Sequence, residues 1–251
     1  VIYLFIKRTL LFISLFFTAA SCHADLNFFL MGGAAISDTS NNTYVGINQY
    51  MVNAYQTNSR TLIQPLLGVG LAHTFTNFIR PMNISIGLSG YYADLGKIQG
   101  TEYPYINDDV YDSLDYKFQA QSWLVLAESR LAYTQFNWQP YALVGAGASW
   151  NHLYSYSETP TIPSESASAS PYPYANHMRT VFAYEFGLGI QKKIYSDLTH
   201  HLQYFLAFDY RYMNTGQGTL GSSTAQTTSD RIHISNLHMQ ALLVSLNISE
   251  L

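Results

Sequence analysis

Alternation with a period of two constrains this chain more than any motif in it. Phe182, Tyr184, Phe186, Leu188 and Ile190 occupy one set of alternate positions, and Ala183, Glu185, Gly187, Gly189 and Gln191 the other. The next segment sets Leu202, Tyr204, Leu206, Phe208, Tyr210 and Tyr212 against Gln203, Phe205, Ala207, Asp209 and Arg211. Side chains alternate across an extended strand, so each segment has one large apolar face and one small or polar face. Helical spacing would mix the two sets. Weaker versions run through Ile63–Ala72, Asn83–Tyr92, Tyr141–Asn151 and Leu242–Ile248. Tyr116–Tyr133 is long enough for a strand, with a phase slip near Trp123–Leu126 that reads as a bulge. Leu26–Ile36 is apolar on both faces and completes a set of eight.

The connections alternate long and short. The long ones fall at about 37–60, 95–113, 154–178 and 214–231, and the short ones at Thr76–Arg80, Thr134–Asn137 and Tyr195–Leu198. Tight turns at one end and polar loops at the other describe an antiparallel meander with both termini on the short-turn side. The expected architecture is all-β, an eight-stranded antiparallel up-and-down transmembrane β-barrel.

Which side of such a barrel is apolar decides where it lives. The apolar faces carry large Leu, Ile, Val, Phe and Tyr, suited to lipid, whereas the opposite faces carry Gly, Ala, Ser, Gln and charges, suited to a narrow polar interior. In lipid every strand edge must be closed, because an unpaired backbone group finds no water. Composition agrees. Only 11% of the 251 residues are charged, against roughly 25% in an ordinary soluble domain. With 12 Lys+Arg against 16 Asp+Glu, the chain has no basic excess for nucleic acid. Tyr92, Trp138, Trp150, Tyr154, Tyr195, Tyr210 and Tyr212 fall at strand ends, as aromatic girdles at the two water interfaces require.

Residues 1–24 read as a signal peptide: Lys7 and Arg8, an apolar run Leu10–Phe17, then small residues ending Cys22-His23-Ala24. Its removal would take the net charge from −4 to −6 and leave no cysteine; the alternative is that Cys22 is kept and lipidated. Residues 25–251 then form the barrel domain.

The chain resembles the small outer-membrane β-barrel proteins of Gram-negative bacteria, the opacity and outer-membrane-protein-A-like, or "porin family", group. The likeness lies in Trp138-Gln-Pro140-Tyr141-Ala-Leu-Val-Gly145-Ala-Gly147-Ala-Ser-Trp-Asn151, in Phe186-Gly187-Leu188-Gly189 and in Asp209-Tyr210-Arg211-Tyr212-Met-Asn-Thr-Gly216. It implies an outer-membrane location, contact with lipid and lipopolysaccharide, and a lumenal network of carboxylates and guanidinium groups. Glu128, Arg130, Glu185, Asp209 and Arg211 sit on inner faces and are the candidates for that network. Charges kept out of lipid need partners.

No cofactor, metal or catalytic set is expected. The glycine pairs Gly68/Gly70, Gly145/Gly147 and Gly187/Gly189 lie on strand faces without a helix to follow, so they make room for larger side chains opposite and hold no phosphate. His152 is the best-placed histidine for lipid chemistry at the outer rim, but Ser149 falls on the other face; His200 and His201, being adjacent, point opposite ways. The long loops are the expected functional surface. Tyr103, Tyr105, Asp108, Asp109 and Tyr111 are recognition candidates in the second of them. The expected role is surface recognition, adhesion to a host-surface or matrix ligand, or envelope structure, by a monomer that is not an enzyme. A narrow conduit for small hydrophobic molecules and a lipid A-modifying enzyme are the alternatives.

Overall fold

The computed structural model describes residues 24–38, 42–58, 62–106, 113–162, 169–170, 173–224 and 226–250. The signal-peptide segment, with Cys22, lies outside them apart from Ala24. Ten strands are present: β1 (Ala24–Asp38), β2 (Asn42–Gly46), β3 (Val52–Thr57), β4 (Leu62–Ile79), β5 (Met82–Tyr103), β6 (Leu114–Tyr133), β7 (Trp138–Pro160), β8 (His177–Asp197), β9 (Leu202–Thr219) and β10 (His233–Glu250). Eight of them close a ring. β1 pairs with both β4 and β10, and antiparallel neighbours complete the circuit through β5, β6, β7, β8 and β9. No ring strand is left with an open edge along the lipid-facing height, the condition for spanning a bilayer with sheet.

The two remaining strands lie inside the first long connection. β2 and β3 form a hairpin, and β3 continues the sheet by pairing with Gly100–Tyr103 of β5. The other connections are shorter than the sequence suggests. β5 continues to Tyr103, β7 to Pro160 and β9 to Thr219, and β8 already begins at His177. A transmembrane strand needs only about 9–11 residues, so the 22 residues of β5 and 23 of β7 stand well beyond the membrane.

The phase of β6 is unbroken, which corrects the bulge expected near Trp123–Leu126. Leu114, Tyr116, Phe118, Ala120, Ser122, Leu124, Leu126 and Glu128 are all buried inward, while Trp123 and Val125 are exposed outward. What changes at Trp123 is the surroundings. Below it, toward the short turns, the outward residues are Val125, Ala127, Ser129 and Leu131; above it they are Gln121, Gln119, Lys117 and Asp115. The register shifts lie higher, at Asp94/Gly96 of β5 and at Lys117/Gln119 between β6 and β7.

β5 shows the same division. A band of outward Leu, Ile, Val and Phe circles the lower barrel, with Leu188 and Leu242 each 68% exposed, which only a lipid surround rewards. The chain is a membrane-spanning β-barrel. Above the band the interior is a dry core: Val45, Tyr55, Leu95, Ile98, Tyr116, Phe118, Leu153, Leu220, Ile232 and Leu237 pack together under the β2–β3 hairpin. An apolar core inside the barrel runs against the wholly polar lumen expected from the alternating faces. The upper strands stand in water on their outer side and bury apolar residues inward, as any soluble sheet does.

Candidate functional site

Four of the five lumenal candidates converge at one height. β7 lies between β6 and β8, and its Gly145 is opposite Glu128 on one side and Glu185 on the other. A Cβ there would come within 2.7 Å of Glu185 Oε1, so the glycine lets the two carboxyls reach over β7. Arg211 arrives from β9 opposite Gly187. Its side chain is fully buried, with Nε 2.5 Å from Asp209 Oδ1 and Nη1 3.3 Å from Glu185 Oε2 and 3.6 Å from Glu128 Oε1. Tyr91 of β5 bonds to both Arg211 Nη1 and Glu128, Ser89 donates to Glu128, and Tyr141 of β7 donates to Asp209 Oδ2 at 2.8 Å. One guanidinium, three carboxyls and two phenols thus span the barrel.

Arg130 departs from the expectation. One inward step below Glu128, its guanidinium lies over the Tyr141 ring at 4.5 Å and the Phe29 ring at 5.6 Å, and it forms no ion pair among the described residues. The carboxyls face Arg211, which leaves aromatic faces as the partners at this level. Below it a polar cavity of 230 Å³, lined by Asn27, Thr74, Ser85, Arg130, Gln139 and Gln191 among others, ends under the charged layer.

Tyr91 and Tyr141 escaped the sequence reading of the network, though a signal existed. A Cβ on Gly68 would lie 2.7 Å from the Tyr91 ring, and Gly189 sits against Tyr141. The paired glycines mark where large rings cross.

The outer girdle is spread over β5 to β9. Tyr92 lies against Trp123 with ring centroids 4.6 Å apart, and Trp123 is in register with Trp150. Tyr212 stacks on Phe186, and Tyr210 donates to Gln240. Trp138, under Lys192 Nζ, and Tyr195, beside Tyr204, sit at the short-turn end. Tyr154 is higher, opposite Gln119 and stacked on His152. Trp123 belongs to this girdle and was hidden from sequence by the apparent phase slip.

A second polar cluster lies in the head above the membrane. Glu102 of β5, 3% exposed, accepts from Asn53 Nδ2 at 2.6 Å and from Tyr55 at 2.8 Å, both on β3. Tyr156 of β7 is 3.1 Å from Glu102 Oε2 and 2.9 Å from Glu158 Oε2. Tyr174, from the segment before β8, is 3.1 Å from the Tyr55 hydroxyl. Burial first, and the Glu158 carboxyl second, push Glu102 up to about 8.

Of the loop candidates, Tyr103 is exposed at the end of β5, and Tyr105 is exposed beyond it with its N–H donated to Asn53 Oδ1 at 3.1 Å. Asp108, Asp109 and Tyr111 lie outside the described residues. His152 faces outward, 3.1 Å from Gln121 Nε2, while Ser149 points inward to Asn151 Oδ1 at 2.7 Å.

No protein-family model and no curated protein matches the chain. Among solved structures it is similar to the Neisserial surface protein A, at 14% identity and TM-score 0.36, covering 88% of this chain and 96% of that one. It is also similar to the outer-membrane protease OmpT from Escherichia coli, at 8% identity and TM-score 0.39, covering 92% and 97%. The outer-membrane protein OprG from Pseudomonas aeruginosa gives 10% identity and TM-score 0.31, covering 91% and 96%. Membrane placement here rests on the apolar belt itself.

Proposed function

We propose that the chain is an integral protein of a Gram-negative outer membrane that acts through its outer head, in surface recognition, adhesion or envelope structure. One observation carries this: the lumen is closed at two heights, by the Arg211 layer and by the apolar core above it. A conduit needs an open path, and eight strands enclose little space even before side chains fill it. The head is the part with a shaped, water-facing surface on a rigid base, where recognition is usually placed. Catalysis finds no support at His152, whose ring is held by Gln121 and Tyr154.

Folded protein in planar bilayers is expected to give no steady conductance, and replacing residues 42–57 by a short turn is expected to abolish attachment to matrix-coated surfaces while the barrel still shifts in gel mobility on boiling. Steady conductance from the intact chain would overturn the closed-lumen reading.

A further inference from the structure

We propose that Glu102 and Glu158 share one proton through Tyr156, and that this proton latches the outer head, which loosens when the proton leaves.

Donor counting carries the proposal. The Tyr156 hydroxyl is within hydrogen-bond distance of both Glu102 Oε2 and Glu158 Oε2, but it has a single hydrogen. It can donate to one carboxyl only. The other contact is a hydrogen bond only if that carboxyl is protonated and donates to the phenol oxygen. Glu102 is the buried member of the pair and holds the proton more readily than the half-buried Glu158; with its Oε1 accepting from Asn53 and Tyr55, the proton sits on Oε2, donated to Tyr156, which donates in turn to Glu158. Tyr55, having given its hydrogen to Glu102, accepts from Tyr174. Glu158 Oε1 accepts the N–H of Ser170. A single chain of bonds therefore ties the hairpin strand β3, β5, β7 and the segments at Ser170 and Tyr174.

Loss of the proton leaves the buried Glu102 and the half-buried Glu158 carboxyls facing a single phenolic hydrogen. Among the described residues neither has an ion pair. The groups facing Glu102 are phenols, Tyr55 from β3, Tyr156 from β7, Tyr116 from β6 and Tyr174, all raised by burial and so uncharged through the range concerned. The sign follows. The folded head holds the proton more tightly than the unfolded chain, so the latch contributes fully below the ordinary carboxyl value of 4.5. That contribution shrinks as pH rises and is gone above about 8.

The test uses the full chain folded in detergent micelles, with hydrogen exchange at pH 6.5, 8 and 9.5 corrected for the intrinsic base-catalysed rate. Protection of the Val52–Thr57 amides is expected to fall at least tenfold over this range, while amides of β10 at the height of Leu242–Leu246 hold steady. Glu102→Gln, whose amide can donate where the carboxyl proton did, is expected to remove the pH dependence. Glu158→Gln is expected to move the midpoint down by removing the like charge. Constant wild-type protection, a Glu102→Gln profile that falls with the wild type, or an unmoved midpoint in Glu158→Gln would each overturn the latch. Should Glu102→Gln fail to fold, the wild-type and Glu158→Gln profiles decide alone.

Discussion

Below Trp123, β6 turns Val125 and Leu131 outward and Glu128 inward; above it, the same strand turns Lys117 and Gln119 outward and Phe118 inward. The alternation is one and continuous, yet the greasy and polar sides are exchanged across the girdle, where Leu124 and Leu126 inward and Trp123 and Val125 outward make both faces apolar. β5 does the same, with Ile86 and Leu88 outward below, and Lys97 outward against Ile98 inward above. The difference teaches that period two fixes the strand, whereas the medium on each side fixes which face carries hydrocarbon. The lower half is a barrel turned inside out, and the upper half is an ordinary soluble one.

The two halves should fail in different ways. Arg211→Met strands three carboxyls in the lumen and is expected to cost about 3–5 kcal/mol, the range for breaking a buried ion pair by removing one partner. The midpoint of denaturant unfolding from micelles measures it. Phe118→Ala opens a cavity in the head and is expected to cost about 3–5 kcal/mol locally, visible as lost hydrogen-exchange protection in β3 with the Leu242–Leu246 amides of β10 unchanged. If β10 loses protection equally, the halves are one cooperative unit. On the outward face, Leu188→Arg near mid-belt is expected to cost about 2–4 kcal/mol. Gln119→Leu, outward on the head, should stay within about 0.5 kcal/mol. Equal costs at Leu188 and Gln119 would erase the distinction between the halves.

The eight ring strands and the closure of the ring were legible because lipid imposes a strict alternation, clearest in β8 and β9, whereas the short strands β2 and β3, read as loop, lie above the lipid. Leu26–Ile36 was ambiguous because Phe29 and Met31 are buried inward in the lumen, in the space left by Gly70 and Gly68 of β4, so both faces carry large apolar residues. The apparent slip at Trp123 arose from expecting one medium along the whole strand. Had the inversion been recognised, Ile98, Gly100 and Glu102 against Lys97, Gln99 and Thr101 would have extended β5 and placed Glu102 inside. In the network, Asp209, Arg211, Glu185 and Glu128 could be read from inner-face charges. The separate fate of Arg130 could not, because which carboxyl meets which guanidinium depends on register across β7, and register is absent from any single segment.

The extension of the strands sets a height. From Trp123 to Leu114, β6 rises nine residues past the girdle, which at about 3.3 Å per residue and a tilt near 45° lifts the rim about 20 Å above the hydrocarbon. The head is a mast. If the head faces outward as proposed, sugars anchored in the surrounding leaflet and shorter than that span would leave the β2–β3 hairpin and Tyr103 in view, and only longer polymers would screen them.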